Sequence, residues 1–152
     1  MTIFGFLYRN LFKPIAFIMD PEFVHDFVVN IGAMLGKFQW TKILTRKMFA
    51  YESPMLEQTI SGVHFKNPIG LSAGFDKNAK LLDILSDVGF GFAEIGSITG
   101  EPCEGNAQKR LWRLPDSKSL VVNYGLMNDG AEIIASRLQN KEFAFPVGVS
   151  VA

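Results

Sequence analysis

From Asn67 onward the chain alternates apolar runs with helical spacing, and this alternation restricts its architecture more than any other feature. Pro68 to Ser72, Phe92 to Ile98 and Pro146 to Val151 are apolar runs of strand length. Between them, Ala79 to Val88 offers Leu81, Leu82, Ile84 and Leu85 for a covering helix, and Asn128 to Leu138 offers Ile133, Ile134 and Leu138. Strand, helix, strand, helix, strand is the order of a parallel βαβ sheet, because parallel neighbours need a crossover that can also cover the sheet. Leu111 to Val122 predicts a hairpin turning at Pro115-Asp116-Ser117-Lys118, and Leu56 to Phe65 predicts a short hairpin or two edge strands around Ser61-Gly62.

The first of these strands runs directly into Ser72-Ala73-Gly74-Phe75-Asp76-Lys77-Asn78. Small residues at such a turn let a flat or phosphorylated ligand approach the main chain, and strand carboxyl ends are where α/β folds place their chemistry. Lys77 is then the candidate working charge. The same Gly-Asp-Lys turn also suits a solvated connection from strand to helix.

Residues 1–50 read differently. Asp20-Pro21-Glu22 marks a helix start: an acceptor at the cap, a proline in the first turn and an acid complementing the dipole. Phe23, Phe27, Ile31, Met34 and Leu35 then form one broad apolar face, and a second helix is expected from Trp40 to Met48, before Ser53-Pro54. This stretch holds Arg9, Lys13, Lys37, Lys42, Arg46 and Lys47 against Asp20, Glu22 and Asp26, an excess whose sign suits an anionic membrane surface. Ahead of it, Ile3, Phe4, Phe6, Leu7, Leu11, Phe12, Ile15, Phe17 and Ile18 are interrupted by Arg9, Asn10, Lys13, Pro14 and Asp20. That falls short of the about 20 apolar residues of a membrane span, and leaves a helix lying on a membrane surface or packed on a larger core.

Over the whole chain Lys+Arg and Asp+Glu each total 15, so no nucleic-acid or acidic partner is called for. Cys103 is the only cysteine, which excludes an intramolecular disulfide and any multi-cysteine metal site. Glu101 and Glu104 beside it disfavour a thiolate. With 48% hydrophobic residues in 152, one core of ordinary size is expected. The boundaries expected are a helical unit over 1–52 and a sheet-forming part over 53–152. The third strand sits at the chain's end without a covering helix, so the expectation is the amino-terminal part of a longer protein.

These residues carry a family likeness. Asp20-Pro21-Glu22 with His25, then Asn67 to Lys77, Gly89-Phe90-Gly91, Glu94-Ile95-Gly96-Ser97-Ile98-Thr99, Gly105-Asn106 and Arg110-Leu111-Trp112-Arg113-Leu114-Pro115 resemble the membrane-associated, quinone-dependent dihydroorotate dehydrogenases. The resemblance runs through nearly the whole chain in the family's order and spacing. It implies an α/β fold, a (β/α)8 TIM barrel that binds FMN, of which this chain supplies the first three βα units after a small helical membrane and quinone-tunnel unit. It further implies FMN contacts at Ala73, Gly74, Lys77, Ser97 and Ser150, and substrate contacts at Lys77, Asn123 and Gly125. His25 and Arg113 match positions that the family places by the quinone. The implied activity is oxidation of dihydroorotate to orotate in pyrimidine biosynthesis, with a membrane quinone as acceptor and no metal. The implied location is peripheral on the membrane, on the cytoplasmic side of the inner membrane if the source is bacterial. A serine base and the phosphate-binding loops are expected beyond residue 152, so the 152 residues alone are expected to be inactive.

One stretch departs from the family pattern. Where Asn-x-x-Gly-Phe is usual, an ungapped count puts Val122 at the asparagine and Leu126 at the aromatic. Asn123 could serve with a shift of one residue, but such a shift in a strand reverses side-chain direction. Two other readings therefore stay open: the same barrel chemistry on a different substrate, and a non-catalytic membrane- or quinone-binding fragment.

Overall fold

The computed structural model describes residues 3–152. In chain order it contains α1 (Ile3–Leu7), a π-helical turn (Tyr8–Phe12), α2 (Lys13–Ile18), α3 (Pro21–Leu35), α4 (Gln39–Phe49) and a 3-10 turn (Pro54–Leu56). There follow β1 (Gln58–Ile60), β2 (Val63–Phe65), β3 (Gly70–Leu71), α5 (Leu82–Val88), β4 (Phe92–Ile98), β5 (Leu111–Leu114), β6 (Ser119–Val122), α6 (Ala131–Leu138) and β7 (Val147–Val151). Contacts divide the chain into two compact units, Met1–Val28 with Asn106–Tyr124, and Val29–Gly105 with Gly125–Ala152.

The first unit combines the opening helices with the β5–β6 hairpin. Pro14 lacks an N–H and crowds the carbonyl one turn back, so the helix widens ahead of it and the Lys13 N–H donates to the Tyr8 carbonyl. Ala16 is buried, whereas Leu7, Leu11, Phe12, Ile15, Phe17 and Ile18 are exposed. Among the described residues no helix is long and apolar enough to cross a membrane. Asp20 caps α3 as expected, its Oδ1 accepting from the N–H groups of Glu22 at 2.9 Å and Phe23 at 3.2 Å. The Phe23 N–H is the main cause of a lowered Asp20 pKa, so the cap contributes stability above the ordinary carboxylate pKa and loses it as pH falls through the lowered value. β5 and β6 pair antiparallel from Leu111↔Val122 to Leu114↔Ser119 around the expected turn. The Glu22 carboxylate takes the Arg110 guanidinium through Nε at 2.9 Å and through Nη2, and both side chains are about nine-tenths buried.

The second unit is the α/β part. β3, β4 and β7 form a parallel sheet in that order, with Gly70↔Phe92 in register at one seam and Ala93↔Val147 at the other. Ala93, Ile95 and Ile98 of β4 meet Leu81, Leu82, Ile84 and Leu85, with Val29, Ile134 and Phe145 completing the core. β1 and β2 form a separate hairpin whose turn uses positive φ at Ser61 and Gly62.

Two expectations, on Ile133 and on the starts of the covering helices, are corrected. The apolar face of α3 is exposed at Phe23, Phe27, Ile31 and Met34, while Leu35 packs against the core of the second unit. The close approach is made by Gly32 of α3 and by Gly36 just after it, where a Cβ would lie 2.6 Å from Leu81 Cδ2 and 3.1 Å from Asp83 Cβ. Close helix approach thus outweighs the apolar stripe. Ile133 is also exposed, leaving Ile134 and Leu138 inward. Both covering helices begin three residues late: Ala79 takes a left-handed φ of 54° ahead of α5, and Gly130 a φ of 84° ahead of α6. The Arg46 guanidinium bonds Asp87 at 2.9 Å and Gly32 packs on Leu81, so α4 and the end of α3 belong with the sheet.

Candidate functional site

Parallel strands end together, and the carboxyl ends of β3, β4 and β7 carry the residues singled out in the second unit. Ser97 Oγ lies 2.8 Å from Ser150 Oγ, a hydroxyl pair spanning β4 and β7. The Gly74 N–H donates to the Gly96 carbonyl at 2.8 Å, which ties the turn after β3 to β4. Gly96 has a φ of 101°, and a Cβ on it would lie 2.5 Å from the Ser150 carbonyl oxygen. Gly74 also has a positive φ, 99°, but nothing lies within 4 Å of where its Cβ would be. The main chain is therefore bare and approachable at Gly74 and close-packed at Gly96.

The loop that presents Lys77 is folded by its neighbours. Asp76 is 1% exposed, and its carboxylate accepts from the N–H groups of Lys80 and Leu81, both at 2.8 Å. Asn78 Oδ1 accepts from the Asp129 N–H at 2.9 Å, while its carbonyl accepts from Arg137 Nη1 at 3.0 Å; Arg137 Nη2 also pairs with Asp129 at 2.6 Å. Lys77 is half-buried between these two anchors. Neither anchor was foreseen; the signal available was only that acids and amides flank a turn whose N–H groups need acceptors.

Asn123 and Gly125, expected as neighbours in one subsite, fall in different units. The Asn123 N–H donates to the Arg110 carbonyl at 2.8 Å, extending the hairpin ladder one step beyond Val122. Its side chain therefore points to the face opposite that of Val122, and it does not restore the direction Val122 occupies. Asn106 Nδ2 holds it by donating to Asn123 Oδ1 at 2.8 Å. Gly125 and Leu126 both adopt left-handed φ, 65° and 60°. Cys103 Sγ approaches the Gly125 carbonyl at 3.5 Å.

In the first unit, His25 Nδ1 meets Asp26 Oδ1 at 3.1 Å, and its ring is 6.3 Å from that of Tyr124. Arg113 Nη1 donates to the Met19 carbonyl at 2.7 Å, and the guanidinium stacks 4.8 Å over Phe17. Both side chains thus sit among the residues that join α2, α3 and the hairpin. Burial, reinforced by the charges of Glu22 and Asp26, pushes the Tyr124 hydroxyl up from 10.0 to about 12. In the unfolded chain the phenol ionises near its ordinary value, so stability is full below about pH 10 and falls as pH rises towards 12. Absorbance at 295 nm is expected to show a late component with a midpoint near pH 12 that Tyr124→Phe removes. Among the described residues no group of three or more His, Cys, Asp or Glu side chains could hold a metal ion.

Comparison with known proteins places this arrangement. The family described as dihydroorotate dehydrogenase matches residues 55–152. A dihydroorotate dehydrogenase (quinone) from Haloarcula marismortui is 50% identical over 145 residues, covering 94% of this chain and 41% of that protein. One from Gloeobacter violaceus is 39% identical over 145 residues, covering 95% of this chain and 40% of that protein. A crystal structure of ligand-free dihydroorotate dehydrogenase from Eimeria tenella superposes with a TM-score of 0.71 at 29% identity, covering 88% of this chain and 38% of that one. The chain spans about 40% of the length of the curated relatives it matches. With 98 residues inside the family match and relatives named as quinone-dependent, the chain belongs to the dihydroorotate dehydrogenase family.

Proposed function

We propose that this chain is the part of a quinone-dependent dihydroorotate dehydrogenase that binds one side of FMN and contributes to the substrate and quinone sites. The parallel sheet is read as the opening strands of a (β/α)8 barrel. One observation carries the reading: in a chain of this family, the bare main chain at Gly74, the Ser97–Ser150 hydroxyl pair and the Lys77 loop share the carboxyl end of the sheet. The fit to FMN is chemical. A planar ring needs close approach without a Cβ, which Gly74 allows, and its polar edge needs donors and a cation. Ala73 and Gly74 would flank the ring, Ser97 and Ser150 would hydrogen-bond it, and Lys77 would set a positive charge against it. Bound there, FMN would supply a two-electron acceptor for the substrate's hydride and pass those electrons to quinone.

The residues of this chain bind and orient. The Lys77 ammonium favours an anionic partner, whether the reduced ring or the dihydroorotate carboxylate, and a fixed charge aimed at developing charge needs no reorganisation during reaction. Gly125 presents main chain to the substrate. His25 and Arg113 would meet the quinone. The exposed apolar side chains of the π-helical turn and α2, with Arg9 and Lys13 among them, support peripheral contact with an anionic membrane.

The test is anaerobic titration with dihydroorotate of the purified protein that carries this chain, followed through the flavin absorbance. Bound flavin that bleaches is the expected result. The opposed direction of Asn123 and Val122 favours a second reading, the same chemistry on another substrate. Bound flavin that stays oxidised would select it, and purification without flavin would overturn the cofactor assignment.

A further inference from the structure

Asn128 lies outside every site named so far, yet it is 4% exposed and its side chain uses both N–H groups and both lone pairs. Oδ1 accepts from the Thr99 N–H at 3.3 Å and the Gly130 N–H at 2.8 Å. Nδ2 donates to Thr99 Oγ1 at 2.8 Å and to the Leu126 carbonyl at 2.7 Å. The orientation of the amide is over-determined. Thr99 gives its own hydroxyl proton to the Glu101 carbonyl at 2.6 Å, so towards Asn128 it can only accept, and a flipped amide would set oxygen against two acceptors and nitrogen against two donors. The main chain of Asn128 adds a reciprocal pair with Cys103, 2.9 Å in each direction. These partners belong to two loops of the second unit. One follows β4 two residues after Ser97; the other contains Gly125 and Leu126 and leads into α6, whose Ala131 N–H bonds the Thr99 carbonyl at 2.9 Å. A Cβ on Gly130 would lie 2.7 Å from Pro102 N, so the loops are packed as well as bonded.

Leu126 needs such a clamp. A leucine at a φ of 60° is held against its own preference, and the bond from Asn128 Nδ2 to its carbonyl offsets that strain. We infer that Asn128 is a positioning residue, which through Thr99 and Leu126 fixes the Gly125 turn against the end of β4 that carries Ser97. The inference rests on the functional reading above, because it makes the distance between substrate and flavin contacts depend on a buried amide that touches neither. Loosening the clamp releases the substrate side while Ser97, anchored by Ser150, stays in place.

The test uses Thr99→Val, which removes only the hydroxyl that Asn128 bonds, and Asn128→Asp, which replaces both donors with an acceptor. Three readouts are taken on the whole protein: flavin content, orotate affinity from perturbation of the flavin spectrum, and amide hydrogen exchange. For Thr99→Val the expected result is unchanged flavin content, faster exchange confined to residues 99–105 and 125–131, and a roughly tenfold loss of orotate affinity with KM raised more than kcat is lowered. Asn128→Asp is expected to move the same readouts further, and if it does not fold Thr99→Val still decides. Faster exchange in both loops with unchanged orotate affinity and KM would overturn the positioning role. If the wild-type flavin responds to neither orotate nor dihydroorotate, the functional reading falls and exchange alone judges the clamp: local quickening supports it and an unchanged pattern overturns it.

Discussion

Replacing Arg110 by methionine is expected to destabilise the protein by about 3–5 kcal/mol, because it strands a carboxylate that the fold has already taken out of water. Glu22 has a side-chain exposure of 8% and Arg110 of 10%, so neither recovers solvation when its partner is removed. The guanidinium also stacks 5.3 Å from the Tyr124 ring, a contact methionine would only partly replace. Combining Arg110→Met with Glu22→Leu is expected to regain most of the loss, since an apolar pair of similar volume has no charge to desolvate. Urea unfolding of the two single variants and the double variant closes the cycle. Additive losses would mean that the pair is not coupled as its geometry requires.

The second large effect belongs to Gly96. Alanine there meets two independent obstacles, a φ of 101° and a Cβ 2.5 Å from the Ser150 carbonyl oxygen, which is main chain and cannot swing aside. Backbone strain and overpacking together are expected to cost about 3 kcal/mol or more and to spread β4 from β7, parting the Ser97 and Ser150 hydroxyls. Gly74→Ala is the matched control, with nearly the same φ but open space around the added carbon. It is expected to lose flavin while unfolding at a urea midpoint much closer to wild type. Equal urea midpoints for the two variants would show that the close approach to Ser150 carries no cost.

What sequence reading captured and missed divides along physical lines. β4 and the β5–β6 hairpin came out at the expected residues, because apolar alternation and turn chemistry are local signals. The cap at Asp20 was legible for the same reason. The direction of α3 was not: its aromatic face outweighs Gly32 and Gly36 in any count of apolar residues, yet what packs on α5 is the side that lets backbones come close. The small residues and the lysine of the candidate site were visible as a pattern at a strand end. Asp76, Asn78 and Asn128 were not, since each acts through partners in other segments, and which orphan N–H groups need an acceptor is settled only by the tertiary fold. Whether Asn123 can stand in for Val122 is a question of strand direction. Its answer needed the Arg110 carbonyl.

The first unit is assembled from two stretches of chain, Met1–Val28 and Asn106–Tyr124, and its buried ion pair joins residues 88 apart. During synthesis at about 5–20 residues per second, Glu22 waits on the order of 4–18 s before Arg110 exists. Over that interval the apolar opening helices exist without the hairpin that completes their unit. Closing so long a loop adds only slowly to the entropy of folding, so the delay is set by translation and not by diffusion of the chain. The order of assembly is thereby written into the connectivity: helices before sheet strands β3 and β4, and the hairpin returning afterwards to a segment synthesised before those strands.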